Sequence, residues 1–244
     1  MKVIVAKDYA SQCAAGADII EKIVREKPDC CLGLATGSSP VGMYKELARR
    51  CREEGLDFSK VHTVNLDEYI GLEPTHDQSY RYFMDSNLFD HINIDKAHTY
   101  VAKGLGDVEK NLEEFRAVLR ESHVALQLLG VGPDGHIAFN EPADELHASA
   151  HMEHIDESTI DANARFFASR DEVPRTALTM GIGEIMRAKK LVTIISGSNK
   201  AEAARKLLVE DVITPRCPVT LVKAHPDSTV IITKALAEQI GYKG

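Results

Sequence analysis

The chain lacks most of the features that would place it outside the ordinary globular proteins. Its five cysteines (Cys13, Cys30, Cys31, Cys51 and Cys217) are odd in number and include no Cys-x-x-Cys pair. That argues against a disulfide framework or a zinc knuckle and for a reducing compartment. No apolar run approaches the roughly 18 residues of a membrane helix, and no charged-then-apolar leader opens the sequence. The expectation is therefore a cytoplasmic protein with no membrane partner. Positive charge is in deficit, 29 Lys and Arg against 37 Asp and Glu, a net charge of −8. This disfavours nonspecific nucleic-acid binding but allows a locally basic pocket. Internal repeats, low-complexity tracts and long Pro/Gly/Ser linkers are also missing, so residues 1–244 read as one catalytic domain. At this length roughly 70–75% of the unfolded surface can be buried, and the core needs no staples.

What is there alternates. Short β-rich apolar runs at 2–6, 30–35, 61–66, 124–129, 191–195 and 229–233 are separated by amphipathic stretches near 9–26, 40–54, 77–89, 107–122 and 199–209. Continuous apolar strands between helices predict an α/β fold, a three-layer, open, mainly parallel and Rossmann-like sheet with helices on both faces. The stretch 143–178 breaks the rhythm. It is polar, carries three histidines and ends near Pro174. It is an active-site lid or a solvated insertion.

A parallel sheet places the loops that follow its strands along one edge. Four such loops hold the suggestive chemistry. The first, Thr36-Gly37-Ser38-Ser39-Pro40, joins a strand to a helix. Free N–H groups at a helix start, with hydroxyls beside them, make an anion site. A helix cap explains one hydroxyl better than three. The loop lacks Gly-Lys-Ser/Thr and is no nucleotide P-loop. The second, Asn65-Leu66-Asp67-Glu68-Tyr69, ends the third strand. Neighbouring strand residues point to opposite faces, so at most one of its carboxylates aims in a given direction. A helix cap or a surface ion pair accounts for such residues equally well.

The third loop, Gly130-Val131-Gly132-Pro133-Asp134-Gly135-His136-Ile137-Ala138-Phe139-Asn140-Glu141-Pro142, is the most informative segment. Three glycines permit a sharp turn and close backbone approach to a ligand. It matches the dinucleotide fingerprint in form only, since no clear helix follows Gly135 and no acidic residue ends a strand about 20 residues on. Asp134 and His136, with Glu141, read better as an acid/base set in which a carboxylate fixes the imidazole tautomer. The fourth loop, Ser196-Gly197-Ser198-Asn199-Lys200, repeats the first with a cation added. A lysine at a helix start opposes the macrodipole, and a bound anion would offset that. Arg165, beside Phe166 and Phe167, is an anion clamp or a surface arginine covering apolar area. His147, His151 and His154 could share a helical face, but no His-Glu-x-x-His motif accompanies them, so no metal is expected.

Together these residues resemble the glucosamine-6-phosphate deaminase family. The resemblance runs in order through Leu34-Ala35-Thr36-Gly37-Ser38-Ser39-Pro40, Asn65 to Leu72, Ser79-Tyr80, Gly130 to Pro142, Asn163-Ala164-Arg165-Phe166-Phe167, Pro174 to Gly181 and Gly197 to Ala201. It covers nearly the whole chain. The segment Gly130 to Pro142 is the most specific, because the related 6-phosphogluconolactonases share its Gly-x-Gly-x-Asp-Gly-His core while Ile137 to Pro142 looks like the deaminase version.

The resemblance implies conversion of D-glucosamine 6-phosphate to D-fructose 6-phosphate and ammonium, with no metal or organic cofactor. It implies a phosphate held by Thr36, Gly37, Ser38, Ser39, Arg165 and Lys200, with Gly132 at the sugar. It further implies Asp67 as the base at C2, and Asp134, His136 and Glu141 as a relay that opens the ring. Members activated by N-acetylglucosamine 6-phosphate carry Ser and basic residues where this chain has Asp144, Glu145, His151 and Glu153, so that activation is expected to be absent. The chain stops at Gly244, shorter than the hexameric members, which points to a monomer or small homo-oligomer. Two rivals stand beside this reading. One is a 6-phosphogluconolactonase, which needs His136 but no base at Asp67. The other is a sugar-phosphate sensor, which would bind without turnover.

Overall fold

The computed structural model describes residues 1–244. In chain order the elements are β1 (Lys2–Ala6), α1 (Tyr9–Glu26), β2 (Cys31–Leu34), α2 (Val41–Glu54), β3 (His62–Asn65), β4 (Asp67–Tyr69), α3 (Tyr80–Asn87) and β5 (Thr99–Tyr100). Then come α4 (Val108–Glu121), β6 (Val124–Leu129), β7 (His151–His154), α5 (Glu157–Asn163), β8 (Thr176–Thr179), α6 (Ile182–Met186), β9 (Leu191–Ile195), α7 (Ala201–Leu208), β10 (Ser228–Thr233) and α8 (Lys234–Ile240).

Seven strands form one parallel sheet in the order β1-β10-β9-β6-β2-β3-β5. All five residues of β9 are buried. Successive strand residues face opposite sides, so both faces of the sheet centre are covered, as expected for an α/β domain. The chain runs from β2 outward to β3 and β5, returns to β6 beside β2, and then proceeds the other way to β9 and β10. The order thus reverses between β2 and β6, which opens a crevice at the carboxyl ends of these strands. All four suggestive loops leave that edge.

The helices form where the sequence spacing demands them. The inner face of α1 is Gln12, Cys13, Gly16, Ala17, Ile20 and Val24, a three-to-four-residue repeat. Asp8 caps it by accepting the Ser11 N–H at 2.8 Å. Gly55 ends α2 in the left-handed conformation, at φ 65°. No helix is long and apolar enough to cross a membrane.

A second sheet is a departure from the sequence expectation. β4, β8 and β7 pair antiparallel, with Asp67 opposite Thr179 and Thr179 opposite His151. Part of the stretch 143–178 is therefore built into strands and the short helix α5. His151 and His154 lie on β7 rather than on a helix face, and of the three only the His147 and His151 rings meet, tilted, with centroids 4.2 Å apart. A small satellite core of Tyr69, Phe139, Ile155, Ile160, Val173 and Ala177 seats residues 155–173 beside the main core. The fourth loop also differs in detail, because α7 starts at Ala201 and Lys200 lies in a preceding 3-10 turn.

Candidate active site

The crevice at the switch point is a cavity of about 760 Å³. Thr36, Gly37, Ser38, Ser39, Gly132, Arg165 and Lys200 all line it, and so do Asp67 and His136. Asp134 and Glu141 do not reach its surface; they stand behind His136.

One end of the cavity is electropositive. The loop after β2 is fixed at its base by Tyr44, whose hydroxyl donates to the Ala35 carbonyl at 2.6 Å. Gly37 then takes φ 86°, a conformation few other residues tolerate, and turns the loop toward α2. Across from it Lys200 Nζ donates to Ser39 Oγ at 3.2 Å, joining the first and fourth loops. Burial, and then the Arg165 charge, hold the Lys200 ammonium below its ordinary pKa. Arg165 lies over the Phe166 ring, 4.6 Å from its centroid. No carboxylate sits within ion-pair distance of either cation, whereas Arg49, Arg50, Arg170 and Arg205 are each paired with acids. Two neighbouring cations without a counter-charge, beside hydroxyls and a helix start, form a site for a multiply charged anion.

The other end carries the acid/base groups. The segment after β6 folds on itself, with the Gly132 N–H donating to the His136 carbonyl at 3.0 Å and the Gly135 N–H to the Gly132 carbonyl at 3.1 Å. Asp134 Oδ1 accepts the His136 N–H at 3.0 Å and lies 2.8 Å from His136 Nδ1. One carboxylate oxygen thus fixes both the backbone and the ring. Glu141 Oε2 is 3.2 Å from the same Nδ1. Burial alone would favour neutral imidazole, but the two carboxylates overcome it and raise the His136 pKa. Burial likewise pushes Asp134 up, and its contacts with His136 more than reverse that. Ala138 lies at φ 53°, a strained setting for a residue with a side chain. It is held because the Phe139 N–H donates to Thr179 Oγ1 and Asn140 Nδ2 donates to the Met180 carbonyl.

Gly132 has a specific steric duty. A Cβ there would lie 2.2–2.5 Å from the His136 ring atoms. The imidazole packs directly on the glycine backbone, so the second glycine of the segment serves the ring's position.

The adjacent carboxylates after β3 take different roles. Glu68 is buried at the start of α3, where it accepts the N–H groups of Tyr69, Tyr80 and Arg81 at 2.9–3.0 Å. It supplements the N-cap residue Ser79, whose hydroxyl accepts the Tyr82 N–H at 3.0 Å. Asp67 faces the cavity. Burial, reinforced by the nearby Glu68 charge and eased by His136, raises its pKa to about 8. A carboxyl so placed holds its proton through neutral pH, and its carboxylate form is a stronger base than an ordinary aspartate, which suits it to proton transfer.

Asp134, His136 and Glu141 bring one donor atom each to within 4.8 Å of one another, a spacing that a metal ion could also use. The imidazole between the two carboxylates already supplies the positive charge that this arrangement calls for.

Several lining residues were not legible as site residues in the sequence. Tyr9 comes from the start of α1, and Tyr80, Phe139, Thr159 and Phe166 from other elements. The Tyr80 and Phe139 rings stack at 6.1 Å. Asn163 Nδ2 donates to the Tyr69 hydroxyl at 3.0 Å and ties α5 to the strand that carries Asp67.

The profile of the glucosamine-6-phosphate isomerases/6-phosphogluconolactonase family matches residues 6–231. The chain is 48% identical over 240 residues to a glucosamine-6-phosphate deaminase of Clostridium perfringens, covering 98% of this chain and 99% of that one. It is 46% identical over 242 residues to a glucosamine-6-phosphate deaminase of Thermoanaerobacter pseudethanolicus, with 98% and 95% covered. Among solved structures it is similar to a monomeric glucosamine-6-phosphate deaminase, with a TM-score of 0.94, 38% identity and coverage of 98% and 99%. A 6-phosphogluconolactonase of Thermotoga maritima shares the fold alone, at 19% identity and a TM-score of 0.74 over 96% of this chain and 99% of that one.

Proposed function

Since the chain belongs to the family of glucosamine-6-phosphate isomerases and 6-phosphogluconolactonases, we infer that it is a glucosamine-6-phosphate deaminase. It converts D-glucosamine 6-phosphate and water to D-fructose 6-phosphate and ammonium. The observation that carries this reading over the lactonase one is Asp67, a buried carboxyl of raised pKa on the cavity wall. Lactone hydrolysis has no use for a base there.

The substrate phosphate lies between the 36–39 loop, Lys200 and Arg165, where the two unpaired cations await an anion. The sugar then extends past Gly132 toward His136 and Asp67. His136, oriented by Asp134 and Glu141, moves the proton from the anomeric hydroxyl to the ring oxygen and opens the ring. Asp67 takes the C2 proton, giving an enolamine, and returns it at C1. The resulting C2 imine adds water and expels ammonia, leaving the ketose. Protons and hydrogen bonds carry every step, and no cofactor is required. Residues 155–173, seated on their own satellite core, serve as a cover that brings Arg165 to the phosphate. The protein works in the cytoplasm as a monomer or small homo-oligomer.

The test is to supply purified protein with D-glucosamine 6-phosphate and, separately, with 6-phosphogluconolactone. Ammonium and fructose 6-phosphate in equal amounts are expected. Lactone opening without ammonium would move the chain to the lactonase branch, and binding without either reaction would make it a sensor.

A further inference from the structure

The two anion-binding loops belong to different strands, β2 and β9, and their spacing decides whether both can reach one phosphate. Only one hydrogen bond links them directly, between Lys200 and Ser39. The first turn of α1 reaches both.

Tyr9, the first residue of α1, extends its hydroxyl to the loop after β2. That oxygen donates to the Ser39 carbonyl at 3.1 Å, with the Ser38 carbonyl at 3.3 Å, and accepts the Gly42 N–H at 3.1 Å. One hydroxyl thus ties the loop's carbonyls to the first turn of α2. Turning those carbonyls toward Tyr9 leaves the loop's hydroxyls and N–H groups for the cavity. Gly42 is what lets Tyr9 in, since a Cβ there would lie 3.1 Å from the Tyr9 oxygen and 2.6 Å from Cys13 Sγ. One turn further on, the buried Gln12 donates through Nε2 to the Ile195 carbonyl at 2.9 Å and the Ile231 carbonyl at 2.7 Å. Ile195 is the last residue of β9, directly before the Ser196–Lys200 loop. Asp8 caps the same turn and holds it in place.

We propose that the first turn of α1 is a clasp that sets the distance between the two phosphate loops, with Tyr9 as a positioning residue for the phosphate subsite. Tyr9 holds one loop and Gln12 the strand end that feeds the other. The tyrosine ring also lines the cavity itself. Its task lies in binding, because it stands at the phosphate end, away from Asp67 and His136. This inference rests on the reading of the site as a sugar-phosphate pocket.

Tyr9→Phe removes only the hydroxyl from a residue that is 41% exposed. The variant should fold as the wild type does, with a melting temperature lowered by no more than about 6 °C, since an intramolecular hydrogen bond is worth about 0.5–1.5 kcal/mol. The half-saturating concentration of glucosamine 6-phosphate should rise roughly three- to tenfold, the worth of one such hydrogen bond, while kcat changes less than about twofold. Titration with inorganic phosphate alone, followed by calorimetry, should weaken by the same factor. Gly42→Ala, which crowds the hydroxyl from its seat without removing it, should move the same two quantities. The calorimetric arm needs no turnover, so it stands even if the reaction assignment fails. An unchanged phosphate affinity in both variants, or a loss confined to kcat, would overturn the proposal. Failure of the wild type itself to bind phosphate would instead refute the site reading.

Discussion

Replacing Asp67 by Asn should damage the reaction and strengthen the fold at the same time. The carboxyl is 6% exposed and its pKa is raised to about 8 by burial and by Glu68. In the unfolded chain an aspartate titrates near about 3.9. The folded state therefore holds a proton there that the unfolded state releases, and stability falls as pH rises between these two values. Below about pH 3.9 both states are protonated and there is no cost; above about 8 the cost is constant. Each unit of that window is worth about 1.4 kcal/mol, so at pH 7.5 the group opposes folding by on the order of 5 kcal/mol. Asn carries no charge at any pH and escapes this cost. Half of it would still raise the melting temperature by about 4 °C or more in a chain of this size. Turnover should drop roughly 10²- to 10⁴-fold, since only the base is lost. The assay is thermal unfolding of both proteins at pH 7.5 and pH 4, with turnover measured in parallel. The stabilisation should be present at pH 7.5 and nearly absent at pH 4. Equal melting temperatures at pH 7.5, or a variant with near wild-type turnover, would refute the reasoning.

Lys200→Ala should act on binding, because the ammonium has no acidic partner and faces the cavity. The expected loss is roughly 1.5–3 kcal/mol in substrate affinity for one charge-assisted hydrogen bond, read from the half-saturating concentration; no change would place the phosphate elsewhere. Gly132→Ala should displace the His136 ring, which leaves no room for a Cβ. Turnover should fall roughly 100-fold or more, and a variant of wild-type activity would detach the ring's position from catalysis. Exhaustive dialysis against a chelator should leave activity intact, since the His136 ring already lies within ion-pair distance of the two carboxylates around it; loss restored by one added metal would reassign this cluster as a metal site. N-acetylglucosamine 6-phosphate should not lower the half-saturating substrate level. Asp144 is held by Arg216 and Glu153 by His151 where an effector phosphate would need cations, and a left-shifted saturation curve would disprove this.

The architecture was legible where burial was two-sided. β6 and β9 fall at the boundaries that their continuous apolar runs predict, and so does the edge strand β1, whose run is apolar although only Ala6 is buried. The strands that escaped notice are short and built by partners distant in sequence. β5 has two residues, β4 has three, and β7 reads His-Met-Glu-His. Nothing local marks such segments; β7 is a strand because β8 pairs with it. α8 had visible signals, a Thr233 cap accepting the Leu236 N–H and Gly241 in the left-handed conformation, but its seven residues give too little periodicity to stand out.

The candidate site was legible for a different reason. Its residues follow parallel strands, and the ends of parallel strands converge whatever the rest of the chain does. That logic finds Asp67, His136 and Lys200. It does not decide between Asp67 and Glu68, because the choice depends on α3 presenting its N–H groups to Glu68. Nor does it reach Tyr9, which comes from the start of a helix after an edge strand and enters the site only because Gly42 lacks a side chain.

The central claim is that Asp67 carries a proton from C2 to C1. The direct measurement is turnover of glucosamine 6-phosphate in deuterated water, with the ketose product examined by NMR. The account predicts solvent deuterium at C1 of fructose 6-phosphate, because the proton held on Asp67 exchanges before it is returned, and no labelled ketose at a comparable rate from Asp67→Asn. Complete transfer of the C2 hydrogen to C1 without solvent label, at a rate unaffected by Asp67→Asn, would contradict it.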